Sequence, residues 1–162
     1  MPKLGKDFGS IVNYTCSLAK EPATLYVGMP LTMLYWSDRH PYEIVEVKDQ
    51  KHIKIRELDH KTPAGQNNAF TDSQHYEYSS NPDNPVITMT KRGKYWYRTT
   101  TITKDILDEI EKAEPSQQIV LKCFLANQNI TPEALLKRGK ITKYSRENLA
   151  FGFAEYYYDW SF

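Results

Sequence analysis

The sequence predicts an α+β fold, a twisted antiparallel β-sheet of about five to seven strands with two or three helices, in a single domain spanning residues 1–162. Three observations predict it. Short β-branched and aromatic runs recur from Leu31 to Ile102, separated by clusters of turn-forming residues. At Thr103 the apolar spacing changes to a helical one. A chain of 162 residues buries enough surface to fold as one unit without a metal or disulfide staple.

The elements follow in order. Residues 1–30 are expected to form an N-terminal arm, in which Gly9, Ser10, Ile11, Val12 and Tyr14 make a helical turn and Pro22, Gly28 and Pro30 impose irregular chain. Arms of this kind dock on neighbouring copies. Leu31–Trp36 reads as a strand, Ser37–Pro41 as a polar turn, and Tyr42, Ile44, Val45 and Val47 as the returning strand. His52–Arg56 alternates apolar with polar residues and supplies the next hairpin partner. Residues 59–73, rich in Pro, Gly and Asn, read as a long surface loop. Gln74–Tyr78 and Val86–Thr90 read as strands on either side of the Asn81–Pro85 turn, and Gly93 centres a tight hairpin into Tyr95–Ile102. Thr103 is the expected N-cap of a helix carrying Ile106, Leu107, Ile110 and Ala113, stopped by Pro115. Ile119–Leu125 reads as a buried strand, and Thr131 with Pro132 starts a short helix. Residues 103–148 thus form a largely helical segment, Leu149–Phe153 a last strand, and 149–162 an aromatic tail that needs something to pack on.

Composition narrows the function. Lys and Arg number 21 against 20 Asp and Glu, a net charge of +1, so duplex nucleic acid is not a partner through bulk charge. Cys16 and Cys123 are far apart and form neither a disulfide framework nor a thiolate zinc site. A reducing cytoplasm is the expected location, with no apolar leader and no membrane-length apolar run to suggest otherwise. Aromatic residues make up 13% of the chain, with Tyr 12 and Trp 3, which suits either base stacking or a Tyr-rich β core.

Two patches are candidate binding sites. In the first, Asp38, Arg39 and His40 share the turn between two strands, so Arg39 can fork onto phosphate, Asp38 can orient it, and Tyr35 or Trp36 can stack. The alternative is a solvated turn with a weak ion pair. In the second, Lys91, Arg92, Lys94, Tyr95, Trp96, Tyr97 and Arg98 interleave cations with rings, with Arg92 and Trp96 as the leading contacts. The alternative there is an edge hairpin guarded by its charges. His40, His52, His60 and His75 lack metal-ligand spacing, and no P-loop, nucleophile elbow or dinucleotide fingerprint occurs. No metal, cofactor or catalytic residue is therefore expected. His40 beside Asp38 as the general base of a hydrolase is the weakest of the rival readings.

The run Leu34, Tyr35, Trp36, Ser37, Asp38, Arg39, His40, Pro41, Tyr42, Glu43, Ile44, Val45 resembles a segment of the Thoeris anti-defence sponge proteins of phages. The ending Phe151, Gly152, Phe153, Ala154, Glu155, Tyr156, Tyr157, Tyr158, Asp159, Trp160, Ser161, Phe162 is similar to that family's "FG, aromatics, D, aromatic, S, F" finish. Gly9, Ser10, Val12, Asn13 and Tyr14, the segment His75–Tyr78, and the Gly93 turn before Trp96 follow the same pattern. The ending departs at Ala154, where the family often carries Arg, and by this resemblance residues 103–148 are a helical insertion that compact members lack. The resemblance implies a homo-oligomer that sequesters cyclic ADP-ribose-type or cyclic-nucleotide immune signals, without cleaving them, in the cytoplasm of an infected bacterial host. It assigns Arg39 a ligand contact. The rival functions are a single-stranded nucleic-acid module and a phage structural protein with no small ligand.

Overall fold

The computed structural model describes residues 2–161. Phe162, the last residue of the tail motif, and Met1 lie outside the described residues. The chain divides into two compact units, Met1–Arg98 with Arg146–Phe162, and Thr99–Ser145. The fold is α+β, with four helices among the described residues where two or three were expected.

Six antiparallel strands, β1 (Pro30–Leu34), β2 (Arg39–Asp49), β3 (His52–Glu57), β6 (Val86–Arg92), β7 (Tyr95–Thr103) and β8 (Lys140–Phe151), close into a barrel in that order. The expected antiparallel sheet is present and closes on itself. Closure removes both edges, because β1 pairs with β2 on one side (Leu31 opposite Tyr42) and with β8 on the other (Leu31 opposite Phe151). Register shifts in β2 after Ile44 and Val47 add local twist as the sheet curls. Leu31 and Met33, Tyr42 and Ile44, Ile53 and Ile55, with Met89 and Trp96, form one buried cluster. The spacing of two along each strand sends alternate side chains inward. Each fully buried Leu, Ile or Met adds about 1.5–3 kcal/mol relative to an exposed one.

β1 is buried on both faces, and the chain ends explain why. Leu34 packs outward against Phe8 and Ala150, while the Thr32 hydroxyl donates to the Phe153 carbonyl at 2.9 Å. The N-terminal segment is bound to its own barrel. Its helix α1 (Ile11–Ser17) is N-capped by Ser10, whose Oγ accepts from the Asn13 amide, and Leu25 and Met29 enter the barrel core. The Gly28 amide donates to the Ile44 carbonyl at 2.7 Å and the Ile44 amide to Met29 at 3.0 Å. The tail is held likewise, by paired backbone bonds of 3.0 Å between Arg39 and Tyr157 and by the Trp160 indole donating to the Asn68 carbonyl at 3.1 Å.

The segment read as loop over 59–73 begins with a short strand, β4 (Asp59–Lys61), which pairs with β5 (Glu77–Ser79) as a two-stranded ribbon. The expected strand over 74–78 is thus shorter and starts three residues later. Gln74 is instead used for side-chain bonds, its amide reaching the Tyr158 carbonyl at 2.7 Å.

In the unit Thr99–Ser145, helices α2 (Asp105–Lys112), α3 (Pro115–Asn127) and α4 (Pro132–Arg138) enclose Ile102, Ile110, Leu125, Ile130 and Leu135. Three expectations are corrected here. Ile119–Leu125 is helix, not strand: Leu121 and Leu125, four apart, face the cluster, so the period that matters is helical despite the β-branched Ile119 and Val120. Pro115 starts α3 at its first position instead of only ending α2. Thr103 closes β7, and the N-cap of α2 is Lys104, which makes no side-chain cap bond. The last strand begins at Lys140 and ends at Phe151, longer at its start than the expected 149–153. α4 agrees with expectation, Thr131 Oγ1 accepting from the Ala134 amide at 3.2 Å with Pro132 following.

Candidate functional site

The residues chosen from the sequence fall into two separate places. Tyr35, Trp36, Asp38, Arg39 and His40 lie at the β1–β2 turn, whereas Arg92 and Trp96 lie at the β6–β7 hairpin.

Arg39 is buried, 5% exposed, at a junction of distant segments. Its Nη1 donates to Asn13 Oδ1 at 2.9 Å, and its guanidinium carbon lies 4.3 Å from the Tyr157 ring centroid. Its Nε stands 3.1 Å from Glu155 Oε2, an ion pair whose N–H is not aimed along a hydrogen bond. A buried guanidinium needs such partners, because leaving water without them is costly. Asn13, wholly buried, also donates through Nδ2 to the carbonyls of Tyr35 and Asp38, each at 3.1 Å. Asp38 Oδ1 accepts from the Asp159 amide at 2.7 Å. Gly9 fits beneath the Trp36 ring, where an added Cβ would stand 2.6 Å from Cδ1. Trp36 itself remains 45% exposed. The α1 helix, the β1–β2 turn and the tail thus meet at Arg39, through Asn13, Glu155 and Tyr157 of the same chain. An anion reaching Arg39 would first have to displace Glu155.

His40 faces the other way. Its Nδ1 is 2.8 Å from Glu57 Oε1, and its ring meets Tyr35 and Tyr156 edge-on at 5.0 and 5.4 Å. Tyr156 also stacks on His60 at 3.6 Å, and burial holds the His60 imidazole toward its neutral form. Glu57 and His60 border a cavity of about 470 Å³ that continues over Asp59, Lys61, Ser79 and Asn84. Tyr156 and His60 stack face to face, while His40 meets its ring neighbours edge-on.

The β6–β7 hairpin borders a second cavity, about 260 Å³, walled by Trp96, Leu149 and Phe151 of the barrel and by Ser17–Ala19 and Glu21 of the N-terminal segment. Trp96 and Phe151 pack ring to ring at 5.8 Å. Glu21 accepts from the Trp96 indole at 3.2 Å and pairs with Lys91 at 2.9 Å, which fixes the ring and cancels the carboxylate charge. Glu147 pairs with Arg98 at 3.1 Å, and burial pushes its carboxyl above the usual range against the pull of that guanidinium. The uncancelled charge is at the lip. Lys94 Nζ and the Arg146 guanidinium lie 5.2 and 3.9 Å from the Tyr95 ring centroid, and neither forms an ion pair among the described residues. Arg92 is exposed at the end of the same strand pair.

Sequence reasoning singled out Trp96 and missed Glu21, Glu147 and Phe151 around its cavity and Arg146 over the Tyr95 ring. The hairpin's alternation of cations and rings was legible, but strand closure brings in residues from both chain ends, and no local spacing announces that. Among the described residues no cluster of His, Cys, Asp or Glu is arranged to hold a metal, and no helix is long and apolar enough to cross a membrane. No family model, curated protein or solved structure matches the chain.

Proposed function

We propose that the protein is a sponge for a small, anionic, base-bearing signal molecule, which it holds at the Tyr95–Trp96 cavity and returns chemically unchanged. The observation that carries the reading is the lip: a tyrosine ring flanked by an ammonium and a guanidinium that have no carboxylate partner, opening on a pocket with an aromatic wall. Rings recognise a base by stacking and the two cations recognise phosphate, so a cyclic dinucleotide or a cyclic ADP-ribose isomer matches both features. The resemblance to phage anti-defence sponges supplies the same ligand class. Cation count also fits, since one or two phosphates need only one or two guanidinium or ammonium groups. The pocket is at the small end for such ligands, which favours partial enclosure, with the phosphates at the rim.

A thermal-shift panel of cyclic ADP-ribose isomers, cyclic oligonucleotides, mononucleotides and single-stranded oligonucleotides tests it, with mass spectrometry of the ligand released by heat. The expected result is a raised Tm with a cyclic nucleotide and intact recovery. Lys94→Ala combined with Arg146→Ala should weaken binding about 10- to 150-fold, the equivalent of about 1.5–3 kcal/mol for a charged hydrogen bond. Recovery of a cleaved product would mean an enzyme. Affinity that grows with oligonucleotide length and falls steeply with salt would mean a single-stranded nucleic-acid module. A flat panel would leave a structural protein.

A further inference from the structure

Donors and acceptors are unevenly distributed around the Tyr95–Trp96 cavity, and the pattern discriminates among bases. The free cations, Lys94 and Arg146, lie against the Tyr95 ring at the lip. The carboxylates, Glu21 and Glu147, line the wall with Trp96, Leu149 and Phe151. Phosphate oxygens accept hydrogen bonds, so the lip cations hold them and the carboxylate wall offers them no proton. A ligand with phosphate at one end and a base at the other is thereby oriented base inward. At about 260 Å³ the cavity suits one base better than a whole cyclic dinucleotide.

The two carboxylates differ in what they still need. Glu21 has a donor on each oxygen, Lys91 Nζ at 2.9 Å on Oε1 and the Trp96 indole at 3.2 Å on Oε2. Glu147 shares one face of β8 with Leu149 and Phe151, which pack on the barrel core, and its side chain is only 15% exposed. Arg98 balances its charge, with Nε 3.1 Å from Oε1, but that N–H is buried without being aimed along a hydrogen bond. An ionised carboxylate has about four lone-pair sites, so this one pair leaves most of them unfilled. A buried acceptor in that state is completed by a ligand that brings donors.

Bases differ in whether they bring them. The Watson–Crick edge of guanine carries two neighbouring donors, N1–H and the 2-amino group, which meet the two oxygens of one carboxylate side by side. Adenine and cytosine set a ring-nitrogen acceptor beside a single amino group, so a carboxylate gains one proton and faces one lone pair. Uracil offers one N–H between two carbonyls. We propose that Glu147 reads the base and that the cavity selects guanine over adenine. The inference rests on the nucleotide reading of this cavity and narrows it, placing guanine-bearing signals above the cyclic ADP-ribose isomers, which carry adenine. Burial favours the neutral Glu147 carboxyl, whereas Arg98 and the two guanine donors favour the carboxylate.

Titration calorimetry of the full chain with cyclic di-GMP, cyclic di-IMP and cyclic di-AMP, and with cyclic GDP-ribose against cyclic ADP-ribose, tests this. Hypoxanthine differs from guanine only in lacking the 2-amino group, so it isolates one of the two donors. The expected order is guanine, then hypoxanthine, then adenine, with guanine favoured over adenine about 10- to 100-fold. Glu147→Gln keeps the shape and replaces one acceptor with a donor. It should abolish the guanine preference and turn it toward adenine, whose edge matches a carboxamide. A thermal melt of the unliganded variant checks that it folds, and if it does not, the wild-type order of the three bases decides alone. Equal affinities for guanine and adenine ligands, hypoxanthine bound as tightly as guanine, or a guanine preference kept by folded Glu147→Gln overturns this inference and leaves the sponge reading standing. Binding of no nucleotide overturns both.

Discussion

Two turns of this barrel offer nearly the same side chains and use them in opposite ways. At the β1–β2 turn, Arg39 is folded inward among Asn13, Glu155 and Tyr157. At the β6–β7 lip, Arg146 and Lys94 lie against Tyr95 and meet no carboxylate. In each place a cation sits on a tyrosine, so ring contact does not separate the two. What separates them is whether another segment delivers a carboxylate. The tail brings Glu155 to Arg39, whereas the carboxylates near the lip, Glu21 and Glu147, are already neutralised by Lys91 and Arg98. A guanidinium so matched is mortar, and one left unmatched at a rim is available to an anion.

Substitutions distinguish the inward cation from the outward one. The largest expected effect is that of Arg39→Ala, which removes the junction between α1, β2 and the tail and leaves Asn13 Oδ1 without its donor. Because Glu155 is partly exposed, the loss should be about 2–4 kcal/mol, below the extreme for a wholly buried pair. Urea denaturation measures it, and Arg146→Ala, exposed, should change stability by no more than about 0.5 kcal/mol. Equal losses for the two variants would erase the distinction between inward and outward cations. Gly9→Ala comes next. Its new methyl meets the Trp36 ring, and displacing that ring should cost about 1–3 kcal/mol and shift the tryptophan emission. An unchanged spectrum and melt would show that Trp36 moves away freely.

The smallest effect sharpens the tail's attachment. Burial, helped by the hydrogen bond to Asp72, pushes the Tyr157 phenol up to about 12, above its ordinary value near 10. The folded state therefore keeps this proton after the unfolded state has lost it. Stability present below pH of about 10 should fall as pH rises toward about 12, and more steeply than in Tyr157→Phe. Equilibrium melts across that range measure the difference, and identical slopes for the two proteins would contradict the assignment.

Much of the barrel was legible because its strands alternate. Tyr42, Ile44, Ile53 and Ile55 show the period of two, and Gly93 marks its hairpin with a φ of 62°. Ile119–Leu125 misled because a short apolar run with β-branched residues does not reveal its own period, and only the contacts of Leu121 and Leu125 decide it. The Asp38–Arg39–His40 turn was visible as a cluster, but the direction of each side chain was not. Arg39 turns in toward Asn13, His40 toward Glu57, and Asp38 toward the Asp159 amide. Those partners lie 17 to 121 positions away along the chain.

By itself the sequence determined the α+β class, the principal barrel strands, the capped start of α4 and the near-neutral charge, since these follow from local periodicity, turn chemistry and composition. Closure of the sheet, the conversion of a presumed strand into α3, and the fates of Arg39 and Arg146 were decided only in three dimensions. The physical reason is that burial and pairing energies depend on which distant groups share a low-dielectric site, and a linear pattern records neither the partner nor the solvent it displaces.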